Sequence, residues 1–246
     1  MDFAALLREE KRKAVAARQQ ATATGVIQDQ SLVSPSVDGA VECPTLDATP
    51  LPFRHRLPVD LNSYQVCKSK VSSVYYIPNW LSGDEEAAIL ERVHAAPSSA
   101  WVQLKHRRLQ VWGGSVTNTY TPTPLPSWLQ VLSASLVDTR VFDSTHAPNH
   151  ALINEYKRGD CILPHEDGPM YHPLVAIVSL GADAVMTFRR HLRHLNQSDD
   201  PFELNVERRS LLVFMHEAYT QYLHSIDNVV QGTRVSLTIR HALQHS

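Results

Sequence analysis

The chain has 246 residues, 43% of them hydrophobic and 20% charged, so it can bury one sizeable core and is not a wholesale disordered polymer. A formal net charge of −2 creates no long-range pull on a polyanion, so any nucleic-acid partner would have to be held by local basic loops. Three scattered cysteines, Cys43, Cys67 and Cys161, indicate neither a disulfide framework nor a zinc knuckle, and no apolar run approaches the roughly 20 residues that cross a bilayer.

A soluble monomer in a reducing compartment, cytoplasm and nucleus, is therefore expected, with no membrane partner. At the start, "MDFAALLREEKRKAVAARQQ" places Phe3, Leu6 and Leu7 on one side of a possible helix, while Asp2, Glu9 and Glu10 argue against a mitochondrial presequence. From about residue 21 the chain is rich in Ser, Thr and Pro without a sustained period. Residues 1–70 thus read as an N-terminal extension, a short helix followed by a flexible linker or wrapping arm.

Order is expected from residue 71 to 246. Val74 to Ile77 suits a short strand, and Ser82 with Glu85 makes a capping box for a helix presenting Ile89, Leu90 and Val93. A second helix is predicted at "LPSWLQVLSASLV", where Trp128, Leu129, Leu132 and Leu136 recur at helical spacing. Beyond residue 150 come short strand-like runs: "HALINEY", "LVAIVSLG", "VMTF", "SLLVF", "YTQYLHSI" and "TRVSLTIRHAL". Long helices do not alternate with them, which disfavours a parallel sheet. The expected fold is mainly β with flanking helices (α+β), around a double-stranded β-helix, or jelly roll.

The chemistry concentrates in "LPHEDGPMYHP". On extended backbone His165 and Asp167 share a side and Glu166 faces away. One histidine and one carboxylate are an incomplete metal site, because a facial iron triad takes a second histidine, here from a distant strand. With 13 histidines in the chain, a single His-x-Asp arises by chance about as often as not, and taken by itself a hydrogen-bonded turn histidine is the slightly better explanation.

The run "TRVSLTIRHAL" shifts the balance. Period two places Arg234, Ser236, Thr238 and Arg240 on one face and Val235, Leu237 and Ile239 on the other. Two guanidinium groups are expensive to bury without an anion. About 20 Å of strand separates their Cα atoms, a gap that two extended arginines could close around a small dicarboxylate. An exposed strand face with surface arginines is the alternative. His224, in "QYLHSI", could reach the arginine face through a hairpin; His216 competes for the role but sits at an expected turn. Together His165, Asp167, His224 and Arg234 read as a metal centre.

These segments, with "LINEY", "VSLG", "RSLLVF", "AYTQYLH", "VYYIPNWLS" and "RRLQVWGG" in order over residues 71–243, resemble the AlkB family of Fe(II)- and 2-oxoglutarate-dependent dioxygenases, most of all its AlkB homologue six branch. The resemblance implies that His165, Asp167 and His224 hold Fe(II). It implies that Arg234 pairs with the distal carboxylate of 2-oxoglutarate, and that Arg240 sits near the other end and the aspartate. Asn154 and Tyr156 match positions that contact the cosubstrate. Ser236 stands where the bacterial founding member has asparagine, so one amide contact is missing or replaced. The activity implied is oxidative demethylation of alkylated bases in DNA or RNA with release of formaldehyde; a dioxygenase acting on a protein side chain is the alternative. "LKHRRLQVWGG" matches the nucleotide-recognition lid, with Lys105, Arg107 and Arg108 for phosphate, and Gln110 and Trp112 beside the base. Arg189, Arg190, Arg193 and His194 form a second basic group; either cluster could equally be a solvated loop.

Overall fold

Ser82 decides where the first helix begins. Its hydroxyl accepts from the Glu85 backbone N–H at 3.2 Å, and the Glu85 carboxylate accepts from the Ser82 N–H at 2.7 Å, which completes the expected capping box. We expect Ser82→Ala to lower stability by about 1 kcal/mol, seen as an earlier urea midpoint at unchanged slope.

The computed structural model describes residues 51–66, 71, 73–191 and 201–244. The expected N-terminal helix, and Arg193 and His194, lie outside that range. In chain order the elements are β1 (Val74–Ile77), α1 (Gly83–Ala95), β2 (Val102–Gln103), β3 (Arg108–Trp112), β4 (Gly114–Val116), β5 (Tyr120–Pro122) and α2 (Ser127–Asp138). There follow β6 (His150–Tyr156), β7 (Ile162–His165), β8 (Leu174–Leu180), β9 (Ala184–Arg190), β10 (Phe202–Val206), β11 (Leu211–Met215), α3 (His216–Thr220), β12 (Tyr222–Ile226) and β13 (Arg234–Arg240).

Among these residues one sheet runs β1-β11-β8-β13-β6-β3-β2 and a second runs β10-β9-β12-β7, with β4 and β5 as a separate hairpin. Neighbouring strands are antiparallel throughout. The large sheet is covered on both faces. One face meets the small sheet through Leu109, Leu152, Ile177 and Phe214, which join Ile162, Met186 and Phe188. The other packs Ile153, Val178, Val235 and Leu237 against α1 and α2 through Ile89, Val93, Leu129 and Leu132. Each fully buried aliphatic or aromatic side chain contributes about 1.5–3 kcal/mol, and β6, β8 and β13 are buried along their whole length. This is the two-sheet jelly roll with helices outside that the strand pattern predicts.

Two expectations need correction. Residues 51–66 follow the wrapping-arm alternative and not the flexible-linker one. Leu51 is buried, Arg56 lies over the Trp80 ring at 4.7 Å, and its guanidinium pairs with Glu85 at 2.7 Å. Composition alone misses this, because a few anchors suffice to dock a Pro-rich strap. "YTQYLHSI" is also not one strand. His216 takes a positive φ of 48°, a short helix follows, and extended backbone resumes only at Tyr222. Between β3 and β4 the chain passes close behind residue 149. A Cβ on Gly113 would stand 2.0 Å from the Asn149 carbonyl oxygen, so only glycine fits.

Candidate active site

The strand alternation of β13 gives each of its faces a separate job. Val235, Leu237 and Ile239 enter the helix-side core, while Arg234, Ser236 and Thr238 turn into a pocket between the two sheets. That pocket is also lined by Asn154 and Tyr156 from β6, His165 from β7, Asp167 just beyond it, and His224 and Ile226 from β12. His224 does not arrive by a hairpin with β13. It pairs across β12–β7 directly with His165, and β13 faces it from the opposite sheet. The predicted proximity is present, but stacking of sheets produces it.

His165 and His224 lie with ring centroids 4.3 Å apart, and both are nearly inaccessible to water. Nδ1 of His165 sits 2.8 Å from the Leu163 carbonyl, which can only accept, so Nδ1 carries the proton and Nε2 the lone pair. Nε2 of His224 lies 3.7 Å from Oδ2 of Asp167. The other carboxylate oxygen, Oδ1, accepts from the Arg240 guanidinium. Oδ2 is buried without a hydrogen-bond donor. Two donors about 2.1 Å from one ion, at right angles, stand about 3 Å apart, so Asp167 and His224 would have to draw together, and the His165 ring to turn toward them, to hold a divalent cation.

Electrostatics agree. Burial pushes the pKa of His165 well below the ordinary imidazole value, and His224 beside it pushes the same way. Burial lowers His224 too. For Asp167, burial alone would raise the pKa, yet Arg240, His224 and His165 together hold it below the usual carboxylate value. Two neutral imidazoles and one carboxylate are the protonation states that metal binding requires.

At the far end of the same strand face, Arg234 is 1% exposed. Its Nη2 donates to the Ser179 hydroxyl at 3.1 Å, its Nε is buried with no acceptor, and no carboxylate among the described residues pairs with it. A buried guanidinium without a counter-charge is costly, and a small anion would relieve it. Arg107 and Ser179 were not singled out as pocket residues. Arg107 is 1% exposed and donates through Nε to Asn154 Oδ1 at 3.1 Å, so it braces a pocket wall and is not available to phosphate. Period two contained the signal, since Arg107 shares its face with the core residue Leu109.

The expected lid residues are placed elsewhere. Arg108, Gln110 and Trp112 stand on the face of β3 that turns toward the helices, and none of them lines the pocket. Gln110 is fully buried, donating to the Val93 carbonyl at 2.8 Å and accepting from Trp112 Nε1 at 2.8 Å. Arg108 lies over the Trp101 ring at 4.0 Å and grips Glu155 at 2.7 Å. These contacts are structural. Arg108→Ala is expected to cost about 1–3 kcal/mol, because Glu155 stays buried with less compensation, and to leave the Michaelis constant for substrate unchanged. The two described members of the second basic group, Arg189 and Arg190, are paired as well. Arg189 meets Asp227 at 3.1 Å, and Arg190 meets Gln221 at 2.7 Å with Glu217 at 3.6 Å. Lys105 remains exposed. His216, the competing histidine, is exposed outside the pocket. No helix of the described residues is long and apolar enough to cross a membrane.

A jelly roll that buries His, Asp and His beside an uncompensated arginine has the make-up of an iron dioxygenase using an oxo diacid. Comparisons with known proteins agree. The 2OG-Fe(II) oxygenase superfamily matches residues 112–240. A Danio rerio protein named "Probable RNA/DNA demethylase ALKBH6" is 36% identical over 220 residues, covering 74% of this chain and 91% of that one. A Xenopus tropicalis protein, "tRNA (carboxymethyluridine(34)-5-O)-methyltransferase alkbh8", is 28% identical over 158 residues, 61% of this chain and 24% of its own. The solved structure of OsALKBH1 shares the fold at a TM-score of 0.55 and 16% identity, over 68% of this chain and 97% of that one. A Trichoplax adhaerens prolyl hydroxylase does so at 0.52 and 12%, over 74% and 89%. The chain belongs to the AlkB family within the 2OG-Fe(II) oxygenase superfamily, and is of the ALKBH6 kind. It is an Fe(II)- and 2-oxoglutarate-dependent dioxygenase.

Proposed function

We propose that this dioxygenase oxidatively demethylates N-alkylated bases in RNA or DNA. In this reading His165, Asp167 and His224 hold Fe(II), and Arg234 receives the distal carboxylate of 2-oxoglutarate. Asn154, Tyr156 and Ser236 line the cosubstrate's bed, and Arg240 steadies Asp167. The observation that carries the cosubstrate assignment is the buried Arg234 guanidinium, which no carboxylate among the described residues answers. The substrate class is supported by the relative named an RNA/DNA demethylase, which this chain matches over nearly its whole length.

When bound, iron and 2-oxoglutarate with O2 supply decarboxylation to succinate coupled to hydroxylation of a C–H bond, and a hydroxylated N-methyl carbon leaves as formaldehyde. The chain's own contribution is placement and dryness. Asp167 keeps one oxygen on Arg240 and offers the other, and His165 is locked in its tautomer by Leu163. Leu152, Ile162, Ile177 and Met186 wall the pocket with hydrocarbon, which limits water at the reacting centre. A base would reach this depth from a single strand or after leaving a duplex stack.

The test is loading with Fe(II) and 2-oxoglutarate without oxygen, then exposure to air with a panel of methylated RNA and DNA oligonucleotides. Formaldehyde in step with succinate, stimulated by methylated oligonucleotides alone and weakened by salt, is expected. Succinate stimulated only by peptides would overturn the nucleic-acid reading and leave the oxygenase in place.

A further inference from the structure

Away from the pocket, Asp143 caps a 3-10 turn, Ser144–His146. Its carboxylate is fixed by the backbone N–H groups of Thr145 and His146, at 2.8 and 2.9 Å, and by the Thr145 hydroxyl. At the end of the turn, His146 sets Nδ1 3.1 Å from Asp143 Oδ2. His172 comes from the loop before β8, and its ring stacks on His146 with centroids 3.9 Å apart. The backbone of His172 is held too: its N–H donates to the His241 carbonyl at 2.9 Å, and its own carbonyl accepts from Leu174 at 2.7 Å.

One ligand atom from each of Asp143, His146 and His172 lies within 4.8 Å of the other two. Two donors on one zinc ion, at about 2.1 Å each and a tetrahedral angle, stand about 3.4 Å apart, near the 3.1 Å between Asp143 and His146 here. A further histidine ring lies beside this set. His241 meets His146 edge-on at 5.3 Å, and its Nδ1 donates to the Ala147 carbonyl at 2.8 Å, so Nε2 carries the lone pair.

We infer that Asp143, His146 and His172 form a second divalent-cation site, of the zinc type, on the surface of this dioxygenase. Two imidazoles and a carboxylate suit zinc and not the all-oxygen shells of magnesium or calcium. None of the three lines the pocket, and no buried guanidinium waits beside them for an oxo acid, so the ion's role is structural or regulatory. It would grip the segments behind the catalytic pocket. His172 follows Tyr171, whose ring lies 4.0 Å from the Arg240 guanidinium, and His241 follows Arg240 itself. An ion here ties the segment of His172 to the turn at Asp143, and the His172 N–H already holds the His241 carbonyl.

The chain thus carries two His-His-Asp sets, and the test must count them separately. Zn2+ is titrated into the full-length protein by calorimetry, and retained metal is counted by mass spectrometry after desalting. Wild type should hold two equivalents, His172→Ala one, and His224→Ala one, the surface equivalent surviving in the last. A single equivalent in wild type that His172→Ala leaves in place would overturn the surface site. Loss of both equivalents in His224→Ala would overturn it too, as an independent ion. Should His172→Ala fold poorly, Asp143→Asn keeps the turn's shape at an exposed position. It is expected to weaken one zinc equivalent about tenfold or more with an unchanged circular-dichroism spectrum, and unaltered zinc affinity in that variant would also count against the site.

Discussion

His224→Ala is expected to abolish 2-oxoglutarate-dependent succinate formation, by about 10³-fold or more, while His216→Asn leaves it unchanged. The first change removes one of three buried donors from a set that has no spare. His165 lies 4.3 Å away between ring centroids and Asp167 Oδ2 lies 3.7 Å from the deleted nitrogen, so no other side chain stands where Nε2 stood. The cavity left among Phe188 and Phe214 would be apolar, because those rings sit 6.4 and 4.9 Å from the histidine, and would not supply a replacement ligand. Asparagine is chosen at 216 because φ is 48° there, a conformation that asparagine tolerates and alanine resists. Succinate production with Fe(II) in excess, paired with anaerobic metal binding, reads the outcome. Activity retained in the first variant and lost in the second would move the third ligand out of the pocket.

The second large effect belongs to Arg234. Arg234→Ala should raise the Michaelis constant for 2-oxoglutarate by about 30- to 1,000-fold, equivalent to roughly 2–4 kcal/mol, with Fe(II) affinity little changed. The guanidinium is fully buried, held at one nitrogen by Ser179, and supplies the positive charge at that end of the pocket. Arg240 cannot substitute, since it is committed to Asp167 and to the Tyr171 ring. Arg234→Lys should recover part of the affinity, because it restores the charge but not the planar fork that meets a carboxylate with two parallel bonds. Equal losses in cosubstrate and iron binding would point to a collapsed pocket and not to a missing counter-charge.

What the sequence reveals depends on how local the physics is. The two faces of residues 234–240 follow from period two alone, and the structure puts the apolar face on the helices and the arginine face in the pocket. The capping box at Ser82 is equally local. Relations between strands distant in sequence were not fixed in that way. His224 was expected beside Arg234 through a hairpin, yet the strands belong to different sheets and meet across the interior. At residues 108–112 alternation identifies two faces without saying which one looks into the pocket. Gln110 and Trp112, polar and aromatic, suggested a binding surface, but their hydrogen bond to each other and to Val93 shows them closing the seam with α1. Arg107, read as a surface cation, is the buried member of that run. The docking of residues 51–66 rests on single anchors such as Arg56 on Trp80, which leave no periodic trace.

The bond from Arg240 to one oxygen of Asp167 also sets the charge balance of the protein without its ion. Because the aspartate already has a permanent cationic neighbour, departure of the ion does not strand a lone negative charge inside the barrel.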